Sequence, residues 1–127
     1  MKTDDFIEVY DNVLSREECE TIINYFEHMK THELVFDRRD SEKTPRHEKD
    51  DETCFLFDPD GFLLDRTHPI LQTALRKFWD CYKNYSEKYS IIQKSAPHGI
   101  ISMRLQKTKP GGGYHIWHYE TQNGRLY

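Results

Sequence analysis

No run of apolar residues in this chain approaches the roughly 20 needed to span a bilayer as a helix, so no membrane partner is expected. An excess of basic residues is missing as well. The 18 Lys and Arg stand against 22 Asp and Glu, for a net charge of −4, which argues against a general binder of nucleic acid or anionic membrane. Cysteine is scarce: Cys19, Cys54 and Cys81 are odd in number and widely spaced. That excludes a disulfide framework or a zinc knuckle and leaves reduced, mostly buried thiols as the expectation. The opening Met-Lys-Thr-Asp-Asp has no apolar secretory segment, so a cytoplasmic protein is expected. A Walker-type or dinucleotide glycine pattern is also lacking, because Gly111-Gly-Gly113 leads into a strand pattern and not into a helix.

What the chain does contain is enough aromatic mass to fold: 8 Tyr, 7 Phe and 2 Trp in 127 residues, one domain's worth of chain (1–127). Phe6-Ile-Glu-Val-Tyr10 alternates apolar and polar residues, which predicts a short strand. Ser15-Arg-Glu-Glu18 is a capping box that opens a helix. Cys19, Ile22, Ile23, Phe26 and Met29 form its apolar stripe. Between Asp37 and Glu52, 12 of 16 residues are charged with both signs mixed, which reads as a solvated surface loop. A lid over a site is the sharper alternative. Cys54-Phe-Leu-Phe57 reads as a buried strand closed by the turn Asp58-Pro-Asp-Gly61. His68-Pro69 starts a second helix, with Ile70, Leu71, Ala74, Leu75, Phe78, Tyr82 and Tyr85 along its core face. Ile100 to Gln106 is a further strand, and Lys109-Pro-Gly-Gly-Gly113 a tight turn. Tyr114 to Glu120 is expected to return as the hairpin partner, and Asn123-Gly124 to open another hairpin.

The chemistry concentrates in that returning strand. Residues two apart in a strand share a face, so His118 and Glu120 would project an imidazole and a carboxylate together. Such a pair is two-thirds of the 2-His-1-carboxylate ligand set of non-haem Fe(II) oxygenases. The plainer reading is the exposed polar face of a hairpin. His115 has the opposite parity and cannot join His118 on one metal. Trp117 and Tyr119 are expected to pack against the helices. His28 and His32, four residues apart, read as surface histidines near a helix C-terminus. They can chelate a metal only if the first helix continues through Thr31.

Taken together, Phe6 to Ile23, Met103-Arg-Leu-Gln-Lys-Thr-Lys-Pro-Gly-Gly-Gly-Tyr114 and Trp117-His-Tyr-Glu120 resemble the Fe(II)/2-oxoglutarate-dependent dioxygenases of the prolyl 4-hydroxylase-like type. The run Gly-Tyr-His-x-Trp-His-x-Glu looks most like the group found in marine bacteriophages. The resemblance implies an α+β chain with a mostly β core: the N-terminal part of a double-stranded β-helix, or jelly roll, with two flanking helices. It implies His118 and Glu120 as iron ligands and Tyr114 as a residue facing 2-oxoglutarate. It further implies Fe(II) as cofactor with ascorbate in support, and 2-oxoglutarate, O2 and an unidentified substrate as reaction partners. The parent reaction converts 2-oxoglutarate to succinate while hydroxylating a C–H bond. Two departures stand out. The family's second histidine and its distal Lys or Arg do not follow Glu120 within this chain, which predicts a fragment inactive alone or completed by another chain carrying the rest of the barrel. Two rivals remain: a non-catalytic α+β interaction module with an exposed edge strand, and a different mononuclear metal site completed by a second subunit.

Overall fold

In the computed structural model the described residues are 5–37, 47–56, 68–97, 99, 103–118, 121–122 and 125–126. They form an α+β arrangement of three helices and short antiparallel strands. Among them no helix is long and apolar enough to cross a membrane.

The first helix, α1 (Arg16–Thr31), begins where the capping box predicts. The Glu18 amide donates to the Ser15 hydroxyl at 3.0 Å, and the Ser15 amide donates back to the Glu18 carboxylate at 2.9 Å, so two amides at the helix start are satisfied reciprocally. Its buried arc is Tyr25 and Phe26, with Ile22 and Met29 packed beside them. The predicted stripe is therefore shifted: Cys19 is exposed and Ile23 is 60% exposed. Of the three thiols, Cys54 alone is buried and Cys81 is half-buried. The predicted strand at Phe6–Tyr10 is absent. That segment lies against the far end of the second helix, where Phe6 stacks on Tyr89 and the Tyr85 hydroxyl donates to the Phe6 carbonyl at 2.6 Å. Glu8 accepts from Lys88 and from the Tyr89 hydroxyl. Tertiary partners on the helix replaced the sheet partners that alternation alone assumes.

A short strand, β1 (Phe36–Asp37), follows α1. Two more, β2 (Lys49–Asp50) and β3 (Glu52–Phe55), run on from one another. After them come α2 (Pro69–Lys88), with Pro at its first turn as predicted, and the single turn α3 (Ser90–Gln93). The chain then enters β4 (Arg104–Lys107) and β5 (Gly113–Tyr114). Last come β6 (Thr121–Gln122) and β7 (Arg125–Leu126), which pair with each other around positions 123–124. Asn123 and Gly124 themselves lie outside the described residues. So do Asp58-Pro-Asp-Gly61 and positions 100–102 of the strand predicted to start at Ile100.

The pairing corrects the predicted hairpin. β4 and β5 do not pair with each other; β4 pairs with β3 and β5 with β2, both antiparallel. The register runs from Phe55 opposite Arg104 to Glu52 opposite Lys107, and resumes with Asp50 opposite Gly113 and Lys49 opposite Tyr114. With β1 paired on the other side of β3, Phe36 opposite Thr53, one edge of the stretch 49–55 is thus lined by 104–114, which bulges out residues 108–112 and returns to it. The bulge closes as the sequence leads one to expect. Gly112 donates to the Lys109 carbonyl at 2.8 Å with Pro110 in the second position and Gly111 at φ 81°, the residue order that a type II turn requires. What local sequence does not reveal is that the turn interrupts an edge and does not reverse it.

Opposed residues in an antiparallel ladder share a face. Glu52, Cys54, Leu105 and Lys107 therefore face one side, and this side meets α1. Cys54 and Leu56 join Tyr25, Phe26, Ile70 and Leu71 in the core, while Lys30 and Lys107 form ion pairs with Glu52 and Glu27 at its edge. Burial of each large apolar side chain contributes about 1.5–3 kcal/mol. Along α2, Ile70, Leu71 and Ala74 are buried, while Phe78 is 43% and Trp79 46% exposed.

Candidate functional site

The opposite face of the ladder carries Lys49, Asp51 and Thr53 from 49–55 and Gln106 and Tyr114 from the partner edge. The expectation of a solvated charged loop over Asp37–Glu52 fails at both ends: Asp37 belongs to β1, while Lys49 (5% exposed), Asp51 (6%) and Glu52 (7%) are buried. Residues 38–46 of that run lie outside the described residues. Charge density predicts solvation only when the charges lack partners, and here they have them. The Lys49 ammonium sits 3.4 Å from the Asp51 carboxylate, which also accepts from Gln106 at 2.6 Å. Lys49 donates further to the Tyr114 hydroxyl at 3.0 Å and lies 4.3 Å from the Tyr114 ring centroid.

Tyr114 leads to His118. Had 114–120 run as one extended strand, four residues would separate these two side chains by about 13 Å. Instead their rings stack with centroids 3.9 Å apart and planes at 26°. The chain makes this possible by leaving the ladder just past Tyr114. His115 still donates to the Glu48 carbonyl at 2.8 Å, after which the backbone bends at Ile116. Strand parity therefore does not govern His118, and the expectation of one continuous strand is corrected. Glu120 and Tyr119 lie outside the described residues. Trp117, expected against the helices, is 103% exposed, because the bend carries it off the sheet.

The result is a corner at the end of the ladder where an ammonium, a phenol and an imidazole succeed one another. An open cleft of about 420 Å³ runs along Tyr114, Ile116, Trp117 and His118. A second hollow of about 280 Å³ lies beside the glycine bulge, between Asp50, Asp51, Glu52 and the side chains of Lys107 and Lys109. His118 Nδ1 lies 3.4 Å from the Ile116 carbonyl, an arrangement that favours a proton on Nδ1 and leaves the lone pair on Nε2. Of the predicted site residues, Tyr114 and His118 are brought together. Among the described residues no group of three or more His, Cys, Asp or Glu gathers to hold a metal.

Lys49, Asp51 and Gln106 escaped the sequence reading. Their signal was the alternation Lys49-x-Asp51-x-Thr53, a period-two pattern written in polar residues, which apolar periodicity does not detect. Comparison of the chain with models of known protein families, with characterised proteins and with solved structures gives no match.

Proposed function

We propose that this chain carries part of an Fe(II)/2-oxoglutarate-dependent dioxygenase site of the prolyl 4-hydroxylase-like type, and that its strands are opening strands of a jelly-roll core. The observation that carries the reading is the stacking of His118 on Tyr114 with the Lys49 ammonium on the Tyr114 hydroxyl. In this reading His118 and Glu120 hold the metal, and a further imidazole comes from outside the corner. Bound Fe(II), with 2-oxoglutarate and O2, supplies oxidative decarboxylation coupled to hydroxylation of a C–H bond. The chain's own contribution is orientation. Tyr114 braces one face of the His118 ring, and Lys49 holds the phenol oxygen in place while Asp51 balances its charge. A keto-acid carboxylate approaching along Tyr114 meets a hydrogen-bonded phenol beside an ammonium, a favourable surface for an anion.

The test is Fe(II) binding together with Fe(II)-dependent succinate formation from 2-oxoglutarate, in the chain and in His118→Ala. Metal binding that the substitution weakens is expected, with turnover appearing only if another chain completes the site. Fe(II) binding indifferent to His118 would sink the reading. A second reading, a non-catalytic interaction module, is favoured by one observation: Trp117 is fully exposed beside a half-exposed Ile116, and large aromatics are enriched where protein surfaces meet. Such a module should fold alone, stay monodisperse and show no dependence on Fe(II).

A further inference from the structure

The last turn of α1 carries a feature separate from the corner at His118. Because α1 runs through Thr31, His28 and His32 stand one helical turn apart, the spacing at which two side chains on a helix meet. Both are exposed, and their ring centroids lie 4.5 Å apart at a tilt of 58°. Nδ1 of His32 is 3.0 Å from the His28 carbonyl oxygen. That oxygen can only accept, so the ring nitrogen facing it carries the proton, and in the neutral imidazole Nε2 keeps its lone pair. The Thr31 hydroxyl donates to the same carbonyl at 2.6 Å and lies 3.2 Å from His32 Nδ1, which braces the ring. An imidazole tied through one nitrogen to a backbone carbonyl is the arrangement metal-ligating histidines adopt. The carbonyl end of a helix also carries partial negative charge, which favours a cation.

We propose that His28 and His32 form a two-histidine chelate for a divalent transition metal such as Ni2+, Cu2+ or Zn2+, with water filling the remaining positions. Imidazole donors select these ions over Mg2+ and Ca2+, which take oxygen ligands. Metal–nitrogen bonds of about 2.0–2.1 Å bring the two ligating nitrogens to about 3 Å from each other. Rings already this close reach that separation by rotating about side-chain bonds, with the helix backbone unmoved.

The experiment uses Ni2+ as the probe on the whole chain, with calorimetric titration and histidine ring NMR signals as readouts. His28→Asn and His32→Asn are each expected to weaken the site about tenfold or more, since either change forfeits the intramolecular second binding step. Paramagnetic broadening should begin at the ring signals of His28 and His32 and persist in His118→Ala, which separates this site from the proposed iron corner. Far-UV circular dichroism of the metal-free variants checks that α1 survives the substitutions. Ni2+ affinity unchanged in both Asn variants, or broadening that starts at other histidines, would overturn the proposal.

Discussion

Glu18 shows at the scale of one residue how local and distant partners combine. Its carboxylate accepts from Lys77 of α2 at 2.7 Å and from the Ser15 amide at 2.9 Å. These bonds, the Lys77 bond foremost, lower its pKa from 4.5 to about 2. With the folded-state value depressed, the unfolded chain takes up the proton first. The stabilisation is complete above the ordinary value of 4.5 and is lost as pH falls toward about 2. Thermal unfolding followed between about pH 5 and about pH 2 should therefore show a steeper loss in the native chain than in Glu18→Gln; parallel curves would mean the carboxylate is not held this way. Lys30 has the opposite sign. Its hydrogen bond to Glu52 raises its pKa above 10.5, so its contribution is present below that value and disappears at higher pH. The Ser15–Glu18 half of the first arrangement was legible in the sequence because it spans three residues. The Lys77 half was not, since only the packing of two helices brings a residue 59 positions away to the same carboxylate.

At the scale of an element, the glycine bulge is the informative case. The turn chemistry of Lys109-Pro-Gly-Gly was readable, for Pro and a positive-φ Gly have few other uses in that order. Its partner was not readable, because a tight turn between two strand-like runs suggests a hairpin unless a third strand outcompetes it. Here 49–55 does so, and it does so with charged residues satisfied in pairs. The close approach at Gly112 records the outcome. A Cβ there would sit 2.9 Å from the Asp50 carbonyl oxygen and 3.1 Å from that of Lys109, and both are backbone atoms with little freedom to yield. Gly112→Ala is expected to lower stability by about 1–3 kcal/mol, measured by chemical denaturation. A neutral effect would show that the bulge does not rest against the 49–55 strand.

At the scale of the whole molecule, α1, the sheet and the start of α2 share one core. Leu56, 1% exposed, sits among Phe26, Ile70 and Leu71 in it. Leu56→Ala should cost about 2–5 kcal/mol of unfolding free energy, a loss readable as a shift in denaturation midpoint without change of slope. A change of about 0.5 kcal/mol or less, the scale of surface substitutions, would mean that the core is organised elsewhere. What the sequence by itself determined is local. The capping box, the proline that opens α2 and the type II turn each depend on residues a few positions apart, whose backbone preferences act before any packing. Only the tertiary structure decided the rest: which strand lines which, that Lys49 and Asp51 are buried as a pair, that Phe6–Tyr10 leaves the sheet for α2, and that a bend at Ile116 lays His118 on Tyr114 and turns Trp117 outward. Each of these is a competition between partners distant in sequence, settled by which arrangement buries apolar area while leaving buried charges paired.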